Sequence, residues 1–478
     1  MPQGKPNVVV FFTDQQRWDC SSLHGNPLDL MPNFDRVARE GTHVANSFTC
    51  APVCGPARAC LQTGTYSTRN GAVANNFGLP DDLPTLAMCF NDAGYRTGYI
   101  GKWHLAGPGG LADPDNKWGP VREERRGGYR DWLATETLEF SYDDYHARLY
   151  DNDNQPVDLP GYRVDALADA GIRYIDAHKH EPFFLMMSFI EPHHQNDRDS
   201  YPAPPGYREK YAGRWVPPDL AALPGVDRMS GHEDDHNQLL LGGSAHQHLG
   251  GYCGMVKRLD EAFGRVMDAL KSLGLEDDTI VLFTSDHACH FKTRNGEYKR
   301  SCHESSIRVP TLLTGPGFKG GGHIHQMVSL VDLPPTLLDA AGVDVPPQMQ
   351  GRSMVPLTRG SHDDWPTEAF IQVCDAKAGR AVRTARWKYC VMSEATSREV
   401  AEDPGRAVYR EAFLYDLEHD PYELTNLIAL KSHAPVREVM RRRLLERMKQ
   451  VGEPEPKLEL VQPIDSGQRN VFEAELEA

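Results

Sequence analysis

No stretch of this sequence is apolar for long enough to cross a bilayer, and no membrane partner is expected. The opening Met1-Pro2-Gln3-Gly4-Lys5-Pro6 leads into a strand-like segment without the hydrophobic region of a signal peptide. As it stands the chain is therefore expected to be cytoplasmic, or periplasmic or secreted if a leader has been removed. Cysteine is sparse, with ten in 478 residues and none in a C-x-x-C pair, which excludes a disulfide scaffold and a paired-cysteine zinc site. Cationic residues are in deficit, 51 Lys and Arg against 67 Asp and Glu. The resulting net charge of -16 argues against a nucleic-acid partner, because displacing counterions from phosphates takes excess positive charge. An anionic substrate in a locally positive pocket is still allowed. There is no internal repeat and no low-complexity tract. What is present, 40% hydrophobic and 25% charged residues, suits a soluble enzyme with a large core and a second, smaller unit.

Short, continuously apolar runs alternate with amphipathic ones. Asn7 to Thr13, residues 182–190 and Thr279 to Thr284 read as strands buried on both faces, with further strands at Arg96 to Ile100 and Val309 to Thr314. Helices are predicted over residues 31–41, Leu83 to Ala93, Arg163 to His178, Leu249 to Leu273 and Leu333 to Ala341. The clearest is the fourth, where Tyr252, Val256, Leu259, Phe263, Val266 and Leu270 recur at three- and four-residue spacing. Residues 106–160, rich in Gly, Pro, Asp and Arg, read as an excursion over the surface. Beyond residue 355, Ala381 to Met392 and Phe413 to Leu417 read as strands, and Pro435 to Val451 as a terminal helix with an arginine-rich solvated face. The expected fold is α/β. A large, mainly parallel sheet flanked by helices occupies residues 1–355, the catalytic domain, and a smaller α+β unit built on an antiparallel sheet occupies residues 356–478.

One segment stands out. In Cys54-Gly55-Pro56-Ala57-Arg58, continuing to Leu61-Gln62-Thr63-Gly64, a proline and an apolar run place Cys54 at a helix N-terminus. There the amides, the helix dipole and Arg58 all favour negative charge, so Cys54 is a candidate reactive group. Other polar residues follow predicted strands directly: Asp14, Lys102 with His104, His193, and Asp286 with His287. In an open α/β sheet that edge is where ligands bind. Asp14, Gln15, Asp286 and His287 offer two carboxylates, an amide oxygen and an imidazole, a set that fits Ca, Mg or Mn better than a thiolate-rich zinc site. Arg58, Lys102, His104, His193 and Lys299 would surround such an ion with positive charge. A pocket of that kind suits sulfuryl or phosphoryl transfer.

The Cys54 motif resembles the signature of the type I, formylglycine-dependent sulfatases of the alkaline phosphatase superfamily, and Gly94 to Leu105 resembles their second signature. The similarity continues through Asn7 to Asp14, Thr284 to His287, Lys299 to Pro310, Val382 to Tyr389 and Leu414 to Pro421. It implies that a formylglycine-generating maturation enzyme oxidises Cys54, and that the hydrated aldehyde is the nucleophile in hydrolysis of a sulfate monoester. By the same resemblance Asp14, Gln15, residue 54, Asp286 and His287 hold one divalent metal, Ca2+ in the first instance and Mn2+ or Mg2+ otherwise. Arg58 steadies the hydrate, and Lys102 and Lys299 bind sulfate. His104 takes a proton in the elimination step, and His193 protonates the leaving oxygen. Ala57 stands where serine is commonest, Gln15 where many members have aspartate, and His287 where many have asparagine. His194 directly follows His193 and is a second candidate for its role.

The expected substrate is a sulfated carbohydrate. Trp18, Trp103, Asn75, Asn76, His194, Gln195 and the histidine-rich residues 232–248 are candidates to line its cleft. Two alternatives stand beside this function: a phosphonate monoester or phosphodiester hydrolase of the same superfamily, and an inactive carbohydrate-binding relative in which Cys54 stays a thiol.

Overall fold

The segment Asn7–Thr13 (β1) is apolar between its polar ends and buried at every position. Val8, Val10 and Phe12 enter the core on one face of the sheet, and Val9 and Phe11 enter the core on the other. A computed structural model describes residues 4–113, 115–116, 118–140, 143–222, 241–361, 364–403 and 407–465, and of residues 241–246 the backbone alone. Nine further strands join β1: β2 (Thr42–Val44), β3 (Arg96–Lys102), β4 (Asp131–Thr135), β5 (His146–Tyr150), β6 (Pro156–Pro160), β7 (Phe183–Ser188), β8 (Thr279–Ser285), β9 (Leu312–Thr314) and β10 (Gly322–Ile324). Their order across the sheet is β10-β2-β9-β8-β1-β7-β3-β4-β5-β6. The middle five, β8 to β4, run parallel, as expected for strands buried on both faces. Strand β9 is antiparallel to both its neighbours, and β5 and β6 close the other edge as an antiparallel hairpin.

Helices α1 (Pro32–Glu40), α3 (Arg163–His178) and α4 (Leu241–Ser272) cover one face, and α2 (Cys54–Thr63) and α5 (Leu333–Ala340) the other. Among the described residues no helix is long and apolar enough to cross a membrane. A second sheet holds β11 (Ala369–Val373), β12 (Gly379–Arg383), β13 (Trp387–Ser393) and β14 (Val408–Asp416) in antiparallel order, with a short parallel strand β15 (Lys457–Glu459) at its edge. Phe370, Val382, Tyr389 and Leu414 of this sheet share one apolar core with α2 and with Val436, Met440 and Leu444 of α6 (Ala434–Gln450).

Three expectations need correction. Residues 106–160 are not merely a surface excursion, because β4, β5 and β6 extend the main sheet there. The stretch Ala381 to Met392 is two strands of a hairpin rather than one. The arginines of α6 are not simply solvated: Arg437 and Arg441 approach buried Glu411, while Arg443 and Arg447 approach Glu368.

In-register pairing fixes what the sheet presents. Thr13 lies opposite Ser285, Phe12 opposite Ser188, and Ser188 opposite Gly101. The residues that follow β1, β3, β7 and β8 therefore emerge side by side along one edge.

Candidate active site

Helix α2 points its N-terminus at that edge. Val53 is extended and makes no side-chain cap, but the Gly55 N–H donates to Asn75 Oδ1 at 3.0 Å, and Pro56 has no N–H to satisfy. Gly64, in the left-handed region at φ 65°, ends the helix. Every residue from Cys54 to Thr63 is buried.

The Cys54 sulfur meets groups that follow two of these strands, β1 and β8. It lies 3.4 Å from Asp14 Oδ1 and 3.2 Å from His287 Nε2, and accepts a hydrogen bond from Lys299 Nζ at 2.9 Å. Lys299 Nζ is also 3.1 Å from His193 Nε2. Asp14 Oδ2 accepts from Lys102 Nζ and from Arg58 Nη2, each at 2.8 Å. Arg58 Nη1 reaches Ser188 Oγ at 2.7 Å and the Lys102 carbonyl at 3.1 Å, and its other terminal nitrogen stands 3.4 Å from Asp286 Oδ2. Ser188, the last residue of β7, is a supporting residue that the motifs did not flag. The close approach of β3 to β7 at this point depends on Gly101, at φ 112°, where a Cβ would sit 2.0 Å from the Ser188 carbonyl oxygen.

Asp14, Cys54, Asp286 and His287 each present one ligand atom, all within 4.8 Å of one another. His287 is oriented for this, with Nδ1 against the Ala288 carbonyl at 2.9 Å and Nε2 facing the sulfur. Among the described residues Asp286 Oδ2 accepts no hydrogen bond although fully buried. Two carboxylates and an imidazole so arranged fit a divalent cation. Gln15 adjoins the group in a left-handed conformation, φ 68°, that lets its own N–H reach Asp286 Oδ1 at 3.0 Å. Its side-chain oxygen is engaged by the His194 N–H at 2.9 Å.

The charges are mutually dependent. Burial and the Cys54 sulfur push the Asp14 carboxyl up, but Lys102, His193 and Arg58 outweigh them and hold it well below the usual carboxylate range. Burial and then Asp14 push Asp286 up to about 7. Burial raises the Cys54 thiol, yet Lys102, Lys299 and His287 hold it well below its ordinary value. The site therefore stabilises negative charge at residue 54. His104, at φ 61°, is pushed down to about 4 by burial, and its Nδ1 has no hydrogen-bond partner among the described residues.

A cavity of about 190 Å3 opens onto these groups, and Asn75, Asn76 and His194 line it as expected. Trp103 does not. It is fully buried among Tyr99, Tyr129 and Trp132, so its place is in the core rather than in a cleft. Gln195 is also turned away, donating to the Glu139 carbonyl and to Asp197 Oδ1, both at 2.8 Å. Trp18 lines a separate cavity beside Arg308 and Trp215. Residues 232–240 of the histidine-rich stretch lie outside the described residues. In place of Trp103 the cavity has Trp118 packed on Phe140, ring centres 4.4 Å apart, and buried Glu139, whose carboxylate is 3.8 Å from His193 Nδ1. A lone acid and two aromatics in a loop-rich stretch carry no motif, so these residues gave no signal in the sequence.

Comparison with known proteins agrees with the geometry. The chain is 28% identical over 463 residues to the ulvan-active sulfatase of Formosa agariphila, covering 94% of this chain and 82% of that protein. It is 29% identical over 470 residues to the choline-sulfatase of Rhizobium meliloti, covering 89% and 83%. The crystal structure of the sulfatase yidJ of Bacteroides fragilis superposes with a TM-score of 0.76 at 25% identity, covering 95% of this chain and 97% of that one. A profile described as the C-terminal part of N-sulphoglucosamine sulphohydrolase matches residues 296–450. The profile of the sulfatases themselves matches residues 6–343, which takes in the parallel sheet and every residue placed around Cys54, and the chain belongs to the sulfatase family of sulfuric ester hydrolases.

Proposed function

We propose that this sulfatase hydrolyses a sulfate monoester at the end of a sulfated oligosaccharide, with Cys54 first converted to formylglycine by a maturation enzyme. The observation that carries this is the placement of Cys54. Its sulfur, standing where the oxygen of the modified residue would be, is met by Lys102, Lys299 and His104, with His193 behind Lys299, in a cavity that all five line. Once formed, the hydrated aldehyde supplies two hydroxyls on one carbon: one bonds to sulfur as the ester S–O bond breaks, and loss of the other's proton re-forms the aldehyde and frees sulfate. Lys102 and Lys299 bind the sulfate oxygens and offset the charge that develops on them. His193 gives a proton to the departing sugar oxygen. His104, kept neutral by burial, takes the proton from the second hydroxyl. Asp14, Asp286 and His287, with Gln15 beside them, would hold a divalent cation that lowers the cost of negative charge at residue 54. The predominance of oxygen donors favours Ca2+.

An oligosaccharide end fits a cavity whose wall combines an aromatic pair, Trp118 and Phe140, with the amides of Asn75, Asn76 and Asn196. The ulvan-active relative supports a carbohydrate, whereas the choline-sulfatase marks a small-ester alternative. Turnover of sulfated oligosaccharides should exceed that of aryl sulfate, choline sulfate, phosphodiesters and phosphonate esters under one set of conditions. A large preference for phosphodiesters or phosphonates would overturn the proposal, and a preference for choline sulfate would overturn its carbohydrate part.

A further inference from the structure

The loop after β7 brings a second set of metal-type donors together, separate from the group around Asp14. His194 Nε2 lies 2.9 Å from Asp199 Oδ1, and His248 Nε2, on α4, lies 3.7 Å from the same oxygen. The three ligand atoms all fall within 4.8 Å of one another. Tetrahedral bonds of roughly 2.0–2.1 Å set neighbouring ligand atoms about 3.3 Å apart. The two measured separations fall on either side of that spacing.

One arrangement of the protons leaves a place for a cation between them. A neutral imidazole has one N–H. His194 Nδ1 faces Asn196 Oδ1 at 3.2 Å, and with its proton there, Nε2 turns a lone pair to the cluster, the tautomer that a metal ligand requires. Nε2 then faces the Asp199 carboxylate with no proton of its own to offer. Tyr298 Oη is 3.0 Å from His194 Nε2 and 3.3 Å from Asp199 Oδ1, but its single proton can serve only one of them. A cation serves both. Lys292, whose Nζ is 5.0 Å from the centre of the Tyr298 ring, works against a cation, so the carboxylate is the ligand the site can least spare. The His194 and His248 side chains are 4% and 11% exposed and Asp199 is 67% exposed, which leaves the carboxylate side open for an ion to enter.

We propose that His194, Asp199 and His248 form a second divalent metal site, of the two-imidazole, one-carboxylate type that Zn2+ fits, adjoining the active-site cavity through His194. His194 and Tyr298 line that cavity and directly adjoin His193 and Lys299 in sequence. An ion here would tie the loop that carries the proton donor to α4, next to the Tyr298 that precedes one sulfate-binding lysine.

The full chain, stripped of metal and returned to buffered Zn2+, tests this by stoichiometry rather than by turnover. Wild type should retain one Zn2+ equivalent more than His248→Ala and Asp199→Asn, with at least tenfold weaker binding of that equivalent in each variant. Asp286→Asn should keep it. In unmodified wild type, Zn2+ should also protect His194 and His248 from carbethoxylation, read by peptide mass spectrometry. Neither readout needs catalysis, so both hold for protein that turns over no sulfate ester, and the site stands or falls separately from the proposed activity. Equal stoichiometry across wild type and both variants, or unchanged labelling of the two histidines, would overturn the site and leave a hydrogen-bonded cluster only.

Discussion

Lys299 and Cys54 face each other across 2.9 Å in an interior where both side chains are buried. The ammonium is held above its ordinary range, against burial, by the negative charge of Cys54 and Asp14. Lys299 is thus a fixed cation beside residue 54, where the proposed reaction puts the substrate's sulfate.

Replacing Lys299 with Ala removes that cation from the transition state. Loss of one preorganised donor of this kind costs on the order of 10²–10³ in kcat. Steady-state kinetics on one sulfate ester should show that fall with the metal content unchanged. A change confined to KM would place Lys299 in ground-state binding instead.

Gly101→Ala should damage the site without touching a reacting group. The new Cβ would lie 2.0 Å from the Ser188 carbonyl, at a φ of 112° that side chains avoid. Strand β3 must move away from β7, which displaces Lys102 and loosens the Ser188 and Lys102 contacts of Arg58. A loss of about 1–3 kcal/mol in urea unfolding, together with lower activity, is expected. Wild-type stability in the variant would mean that the two strands are less tightly held than this contact implies.

Arg58 is the buried cation that joins Asp14, Asp286, Ser188 and the end of β3. Arg58→Ala leaves the Asp14 carboxylate short of a partner, and breaking a buried pair from one side costs about 3–5 kcal/mol. Chemical denaturation should show a loss of that order. Metal should recover part of it, since a cation beside Asp14 replaces some of the missing charge. A neutral result would contradict the role given to Arg58.

Metal binding should depend on pH through Asp286. In the metal-free fold its carboxyl is raised from 3.8 to about 7, first by burial and then by Asp14. Between those values the folded protein keeps a proton that the unfolded chain has lost, so this group lowers stability as pH rises through the window. A cation takes the proton's place and removes that penalty. The Ca2+-induced rise in melting temperature should therefore be larger at about pH 8 than at about pH 5.5, with apparent affinity falling about tenfold per pH unit for each proton displaced. An increment that does not change with pH would rule out a proton on the metal-binding carboxylate.

The sequence showed the centre of this molecule better than its edges. Strands β1, β7 and β8 are uninterrupted apolar runs because both faces are buried, so their ends, and with them Asp14, His193, Asp286 and His287, can be located from pattern alone. Strands β5 and β6 lie at an edge, where exposed positions break the pattern and the flanking Gly and Asp residues imitate a loop. The hairpin of β12 and β13 looked like one strand because its turn, from Thr384 to Arg386, contains no Gly, Pro or Asn. Trp103 was misplaced for a different reason. An aromatic beside a catalytic motif can serve the core or the ligand, and only the ring contacts with Tyr99 and Trp132 decide between them. Ser188 and Glu139 act through distant partners, Arg58 and His193, and such pairing leaves no mark in local sequence.

Everything proposed for catalysis depends on what residue 54 is in the working protein. Mass spectrometry of the peptide that spans Cys54, taken from active protein in its native source, tests this directly. The aldehyde should be present in proportion to turnover, and Cys54→Ala should fold and bind metal but not turn over. A fully active preparation in which residue 54 is unmodified cysteine would contradict the account.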